Sequence, residues 1–123
     1  PMARILLAAN DLVEVHIRSD VRIDVVGLKA SLKAREELLS GRKGPLFYLA
    51  SGDLDWEPAA LQTDLFGEHA GTITAMGVLV SNKVLALAAN MYFGLFPAAF
   101  PTKISSDEAE IRAWLAQHGA LRL

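Results

Sequence analysis

A chain of 123 residues with a net charge of −2 and no cysteine has the length of one domain. It lacks a thiol for catalysis, disulfides or cysteine-held metals, and it lacks the basic excess that draws nucleic acid or anionic lipid. Its 52% hydrophobic and 21% charged content suffices for a core and opposes intrinsic disorder.

Residues 1–123 are read as a single domain, with residues 1–3 set aside as a tag remnant or a disordered lead; Ile5–Ala9 is too short for the apolar region of a signal peptide. Ile5–Ala9 reads as a short strand. Asn10-Asp11 is a turn, because both residue types tolerate positive φ. In Leu12–Arg18 the apolar Val13, Val15 and Ile17 alternate with Glu14, His16 and Arg18, the period of a half-buried strand. Asp24 caps a helix to about Ser40, with Val25, Leu28, Leu32, Arg35 and Leu39 at helical spacing and Gly41 and Gly44-Pro45 as its stop. Leu46–Ala50 is a continuous apolar run, the pattern of a buried parallel strand. After a polar loop at Ser51–Asp55, Asp55 is expected to cap a second helix carrying Leu61 and Leu65 and ending at Gly67–Gly71. Ile73–Val80 is another strand, and Ser81 or Asn82 caps a helix from about Lys83 to Leu95. Thr102–Ile104 is a last strand. Ser105 with Glu108 forms a capping box for a final helix that places Ile111, Trp114, Leu115 and His118 on one side.

The order ββαβαβαβα implies a mixed sheet of about five strands with four helices, the first hairpin antiparallel and the remaining connections parallel crossovers.

Val84–Thr102 carries no charge over nineteen residues, the length of a bilayer span. Pro97 and Pro101 each remove a backbone donor, and Asn90 and Gly94 weaken the helix further. The run is therefore read as a core helix, a loop and a strand, with no integral membrane segment. On a helical wheel Val84, Leu87, Ala88, Met91 and Leu95 form the face expected to meet the sheet. Leu85, Ala89, Tyr92 and Phe96, with Phe93 beside them, form a second apolar strip, read either as covered by neighbouring helices or as a homodimer face or a pocket for an apolar ligand.

Leu79-Val80-Ser81, Ala89-Asn90, Phe93, Pro97, Phe100-Pro101-Thr102-Lys103, Asp107-Glu108 and Ala113-Trp114-Leu115 resemble a family of small bacterial STAS-like (SpoIIAA-like, STAS/SEC14-type) proteins. The resemblance is clearest over residues 73–118. It implies a STAS-like α/β domain without enzymatic chemistry that binds partner proteins. In the anti-sigma-factor antagonists of that group a serine at the start of the second helix is phosphorylated. The matching loop here, Ala50-Ser51-Gly52-Asp53-Leu54, has Ser51 but not the preceding aspartate, and Asp53 and Asp55 would repel a phosphate. Other relatives are proposed to hold lipids.

His16, His69 and His118 have no metal-ligand neighbours at strand or helix spacing, and no nucleophile elbow, phosphate loop or dinucleotide fingerprint occurs. Asn90, mid-helix in an apolar run, is read as a buried amide bonded to the loop before Pro97 or Pro101, or as a ligand or partner contact. Trp56 is a core lid or part of a binding surface near Ser51. The expected function is a cytoplasmic, non-enzymatic binding or regulatory module without cofactor or metal. Its partners would be a second copy of itself and a regulatory protein; the alternative is a carrier or sensor of a small apolar ligand such as a lipid. The candidate residues are Leu85, Tyr92, Phe93 and Phe96, with the polar candidates Asn90, Ser51 and Trp56.

Overall fold

The structure is a computed structural model that describes residues 3–18, 21–50 and 55–118. Strand β1 (Ala3–Leu7) runs antiparallel to β2 (Val13–Ile17), with Ala3 opposite Ile17. The hairpin turns through Asn10 and Asp11, both left-handed at φ 61° and 60°, as their short polar side chains permit. A two-residue strand β3 (Arg22–Ile23) leads into α1 (Val25–Leu39), whose first turn is capped by Asp24 Oδ1 accepting from Gly27 N–H at 2.6 Å. Ser40 and Gly41, at φ 52° and 81°, end it.

Strand β4 (Gly44–Ala50) pairs parallel to β2, and a short β5 (Asp55–Trp56) pairs parallel to β3. The second helical position is filled by 3₁₀ helices at Pro58–Gln62 and Gly67–Thr72. Asp55 therefore lies in a strand and does not open a helix. Its neighbour Trp56 pairs with Ile23, which commits the backbone to a ladder, and Pro58 starts the tighter turn. Strand β6 (Ile73–Val80), helix α2 (Lys83–Leu95), strand β7 (Thr102–Ser105) and helix α3 (Glu108–His118) complete the chain. The cap of α3 lies two residues later than the capping box suggests. Asp107 Oδ1 accepts from Glu110 N–H at 3.2 Å, while Ser105 Oγ accepts from Asp107 N–H at 3.1 Å. The main sheet has the order β1-β2-β4-β6-β7, a single α/β architecture of the expected class.

Alternation along the strands makes two cores. Val13, Val15, Leu46, Tyr48, Met76 and Val80 face α1 and α2, while Phe47 and Ala75 face Ile111 and Leu115 of α3. On the first face Arg35, on the apolar stripe of α1, is fully buried. Its guanidinium donates to Thr72 O, to Thr72 Oγ1 at 3.0 Å and to Gly44 O at 3.3 Å. This ties α1 to the starts of β4 and β6, and burial lowers its pKa.

Candidate functional site

The site is built on α2. Asn82, after β6, caps the helix by accepting from Leu85 N–H at 2.9 Å, and the helix closes with Phe96 N–H donating to Tyr92 O at 2.9 Å before Pro97. The burial of the side chains along the helix reverses the expected assignment of faces. Leu85 and Tyr92 are 2% and 5% exposed and Ala89 is buried. Val84, Leu87, Met91 and Leu95 lie between 60% and 75% exposed.

The wheel shows two apolar strips of similar strength, and apolarity alone does not say which one turns inward. Three features of the inner strip decide it. Ala89 permits close approach to the sheet, and the large ring of Tyr92 gains most from burial. The Tyr92 hydroxyl also finds both a donor and an acceptor inside. It accepts from Leu65 N–H at 2.8 Å and donates to Thr63 O at 2.8 Å, so its burial leaves no hydrogen bond unmade. Burial raises its pKa.

Asn90 is not a buried amide. It is exposed, and its Nδ2 donates to Ala86 O one turn back at 2.8 Å. Ser51 lies outside the described residues. Trp56 is half-buried and lines the core cavity.

Two cavities flank the inner strip. The first, of about 60 Å³, lies between α2 and the sheet, walled by Ile17, Tyr48, Ala50, Trp56, Leu85 and Ala89 among others, and its surface is wholly apolar. At its edge Ser31 Oγ donates to Leu28 O at 2.7 Å and lies 3.1 Å from the Tyr48 hydroxyl. The serine has spent its one proton, so the tyrosine donates in that contact. Burial pushes the Tyr48 pKa up to about 12, so the hydroxyl stays protonated at neutral pH.

The second cavity, of about 220 Å³, opens below the C-terminal end of α2. Asp64, Phe66, Phe93, Phe96 and Phe100 are in its wall. Phe66 and Phe93 belong to the walls of both cavities, and their rings stack at 6.0 Å between centroids.

The four apolar candidates are thus brought together around α2, two of them in the core and Phe93 and Phe96 half-buried beside the second cavity. Asp64 and Phe66, which complete that cavity, carry no periodicity in the sequence because they sit between 3₁₀ turns. Phe100 stands out only as part of the resemblance.

His16 Nε2 lies 2.8 Å from Glu14 Oε1, and His69 Nδ1 lies 2.9 Å from Glu36 Oε2. Among the described residues no group of three or more His, Asp or Glu could hold a metal ion, and no helix is long and apolar enough to cross a membrane.

The profile of a domain of unknown function, DUF7793, matches residues 6–119. The chain belongs to the DUF7793 family. Its fold is similar to that of an uncharacterised DUF3478 protein with a SpoIIAA-like fold from Shewanella loihica PV-4. The two share 14% identity and a TM-score of 0.62, with 92% of this chain and 91% of the other covered. No curated protein matches. The DUF7793 domain therefore has the SpoIIAA-like, STAS-like α/β fold expected from residues 73–118, and at 14% identity the likeness shows the fold alone.

Proposed function

We propose that this DUF7793 domain is a non-enzymatic binding module of regulatory type, that it acts through the outer face of α2, and that the first occupant of that face is a second copy of the chain. The observation that carries the reading is the row Val84, Leu87, Met91 and Leu95, all more than half exposed on one side of a helix that has no charged residue between Lys83 and Lys103. Contiguous exposed apolar patches on small domains mark interaction sites. Methionine in such a patch adapts to the surface it meets. A single helix face lends itself to a two-fold contact, because the same stripe can meet itself with the axis reversed.

The apolar-ligand reading draws less support from the inner cavity. An engineered cavity of about 150 Å³ accepts benzene, and 60 Å³ is well short of that and of an acyl chain.

The test is the mass in solution. Sedimentation velocity of the wild-type chain is expected to give a dimer, and Leu87→Asp with Met91→Glu a monomer with an unchanged far-UV spectrum. A wild-type chain that sediments as a monomer at high concentration, with the double variant indistinguishable from it, would remove the second-copy reading.

A further inference from the structure

The 220 Å³ cavity at the end of α2 has a chemical character of its own. Four phenylalanines stand in its wall, together with one carboxylate, that of Asp64. The rings do not share a plane: Phe93 lies within 25° of Phe66, while Phe100 stands at 87° to it.

Asp64 is held at the rim by its own loop. Its Oδ1 accepts from Gly67 N–H at 3.1 Å, and a Cβ at position 67 would lie 2.5 Å from its Oδ2. Among the described residues no lysine or arginine pairs with Asp64, and none is in the cavity wall. A second source of negative potential points the same way. The cavity sits just past the C-terminus of α2, where the last carbonyls carry the negative end of the helix dipole. The last turn of α2 has no basic residue to complement it, and Pro97 has no N–H to offer.

From this juxtaposition we infer that the cavity is a binding site for a small organic cation of the quaternary ammonium class. Such a cation is apolar at its methyl surface and positive at its centre. It suits aromatic walls through the ring quadrupoles and suits Asp64 and the α2 carbonyls through charge. The same field repels fatty acids, phosphates and nucleotides. The volume restricts the guest, because pockets for drug-sized molecules span roughly 300–1,000 Å³. The site is separate from the outer face of α2, and neither proposal depends on the other.

The test is a nuclear magnetic resonance titration of the ¹⁵N-labelled chain with choline chloride, with potassium chloride as the ionic control and 3,3-dimethylbutan-1-ol as the neutral isostere. Saturable shifts are expected at Phe66, Gly67, Phe93, Phe96, Ala98, Ala99 and Phe100 with choline, and about tenfold weaker binding of the neutral alcohol. Asp64→Asn keeps the acceptor for Gly67 N–H and is expected to weaken choline by about the same factor while leaving the alcohol unaffected. Phe93→Leu removes one aromatic wall and should weaken choline more than the alcohol. Flotation with phosphatidylcholine vesicles identifies the source: co-flotation that Asp64→Asn abolishes assigns the cation to a lipid headgroup, and its absence alongside choline shifts assigns a free cation. Equal binding of choline and the alcohol, or no saturable shift with choline, overturns the proposal.

Discussion

On one face of the sheet α3 lies so close to β6 that a methyl group at Gly77 would sit 2.4 Å from Ile111 Cγ2. On the other face α2 leaves a cavity of about 60 Å³ against the sheet and a second of about 220 Å³ past its end. The outer surfaces differ in the same sense. Among the described residues α3 presents charged groups to solvent, and its Arg112 is clamped between Glu14 and Glu108 with the guanidinium carbon 5.1 Å from the centre of the Phe47 ring. By contrast α2 presents Val84, Leu87, Met91 and Leu95. A tightly seated helix with a polar exterior has met its packing needs within the chain. A helix with gaps beneath it and apolar side chains above it has not, and that contrast is what supports the proposed binding role of α2.

The largest expected effect tests the tight face. Gly77→Val should cost about 3 kcal/mol, the upper end of what overpacking a filled core costs, because the first new atom already overlaps Ile111 and lies 3.2 Å from Leu115 Cδ1. Ile111→Ala alone leaves a hole. In the double variant the valine occupies that hole, so urea unfolding of the full cycle should show a favourable coupling of more than about 1 kcal/mol. Strict additivity would mean that α3 is not pinned on Gly77 and that the two faces do not differ in this way.

A second variant on the same side is smaller in effect and carries a pH signature. Arg112 donates to Glu14 Oε2 at 2.8 Å and to Oε1 at 3.3 Å, and to Glu108 Oε2 at 2.8 Å. The hydrogen bond from Arg112 is the main reason that Glu14 is held below the ordinary glutamate range, with His16 adding to it and burial opposing it. Arg112 is correspondingly raised, chiefly by its hydrogen bond to Glu14. A depressed carboxylate contributes stability that is present above its unfolded-state pKa and is lost as the pH falls through its native value. Arg112→Met leaves the buried carboxylate with only His16 beside it and should cost about 2 kcal/mol at neutral pH. It should also raise the pH at which Glu14 takes up its proton. Glu14→Gln combined with Arg112→Met should recover part of the loss and flatten the acid limb of the stability curve. Urea unfolding from pH 7 down to about pH 3 reads both effects. An acid limb unchanged in Arg112→Met would show that the clamp does not couple α3 to β2.

These contrasts were only partly legible in the sequence. Alternation in β2, the apolar run of β4 and the caps Asp24 and Asn82 are local signals, and they place the sheet, α1 and α2 within a residue or two. The segment at residues 55–72 misled because Asp55 followed by Pro58 has the look of a helix start. Pairing of Trp56 with Ile23 is a long-range event that no local pattern announces. The faces of α2 were misread for a related reason. Periodicity finds two strips, but which one turns inward depends on Thr63 and Leu65, roughly thirty residues away, meeting the Tyr92 hydroxyl. Arg35 was found on the inner stripe of α1, although only the structure shows the carbonyls of Gly44 and Thr72 that let a guanidinium stay there. The aromatic cavity joins Asp64 and Phe66 to Phe93, Phe96 and Phe100 across two loops, and no spacing rule links those positions.

The smallest expected effect probes the loose face, and there the sign decides more than the size. Ala50, near the end of β4, is buried and stands in the wall of the inner cavity. Ala50→Val adds two methyl-sized groups at a strand position suited to a β-branched side chain. Each buried methylene is worth about 0.8 kcal/mol, and some of that gain is offset by lost rotamer freedom. The net expectation is a stabilisation of about 1 kcal/mol, read as a higher urea midpoint at unchanged slope. Adding carbon at Gly77 and adding carbon at Ala50 should therefore move stability in opposite directions, although both residues lie in adjacent, hydrogen-bonded strands of one sheet. Destabilisation by Ala50→Val would mean that α2 is seated as closely as α3. The exposed row from Val84 to Leu95 would then have to be explained without slack beneath the helix.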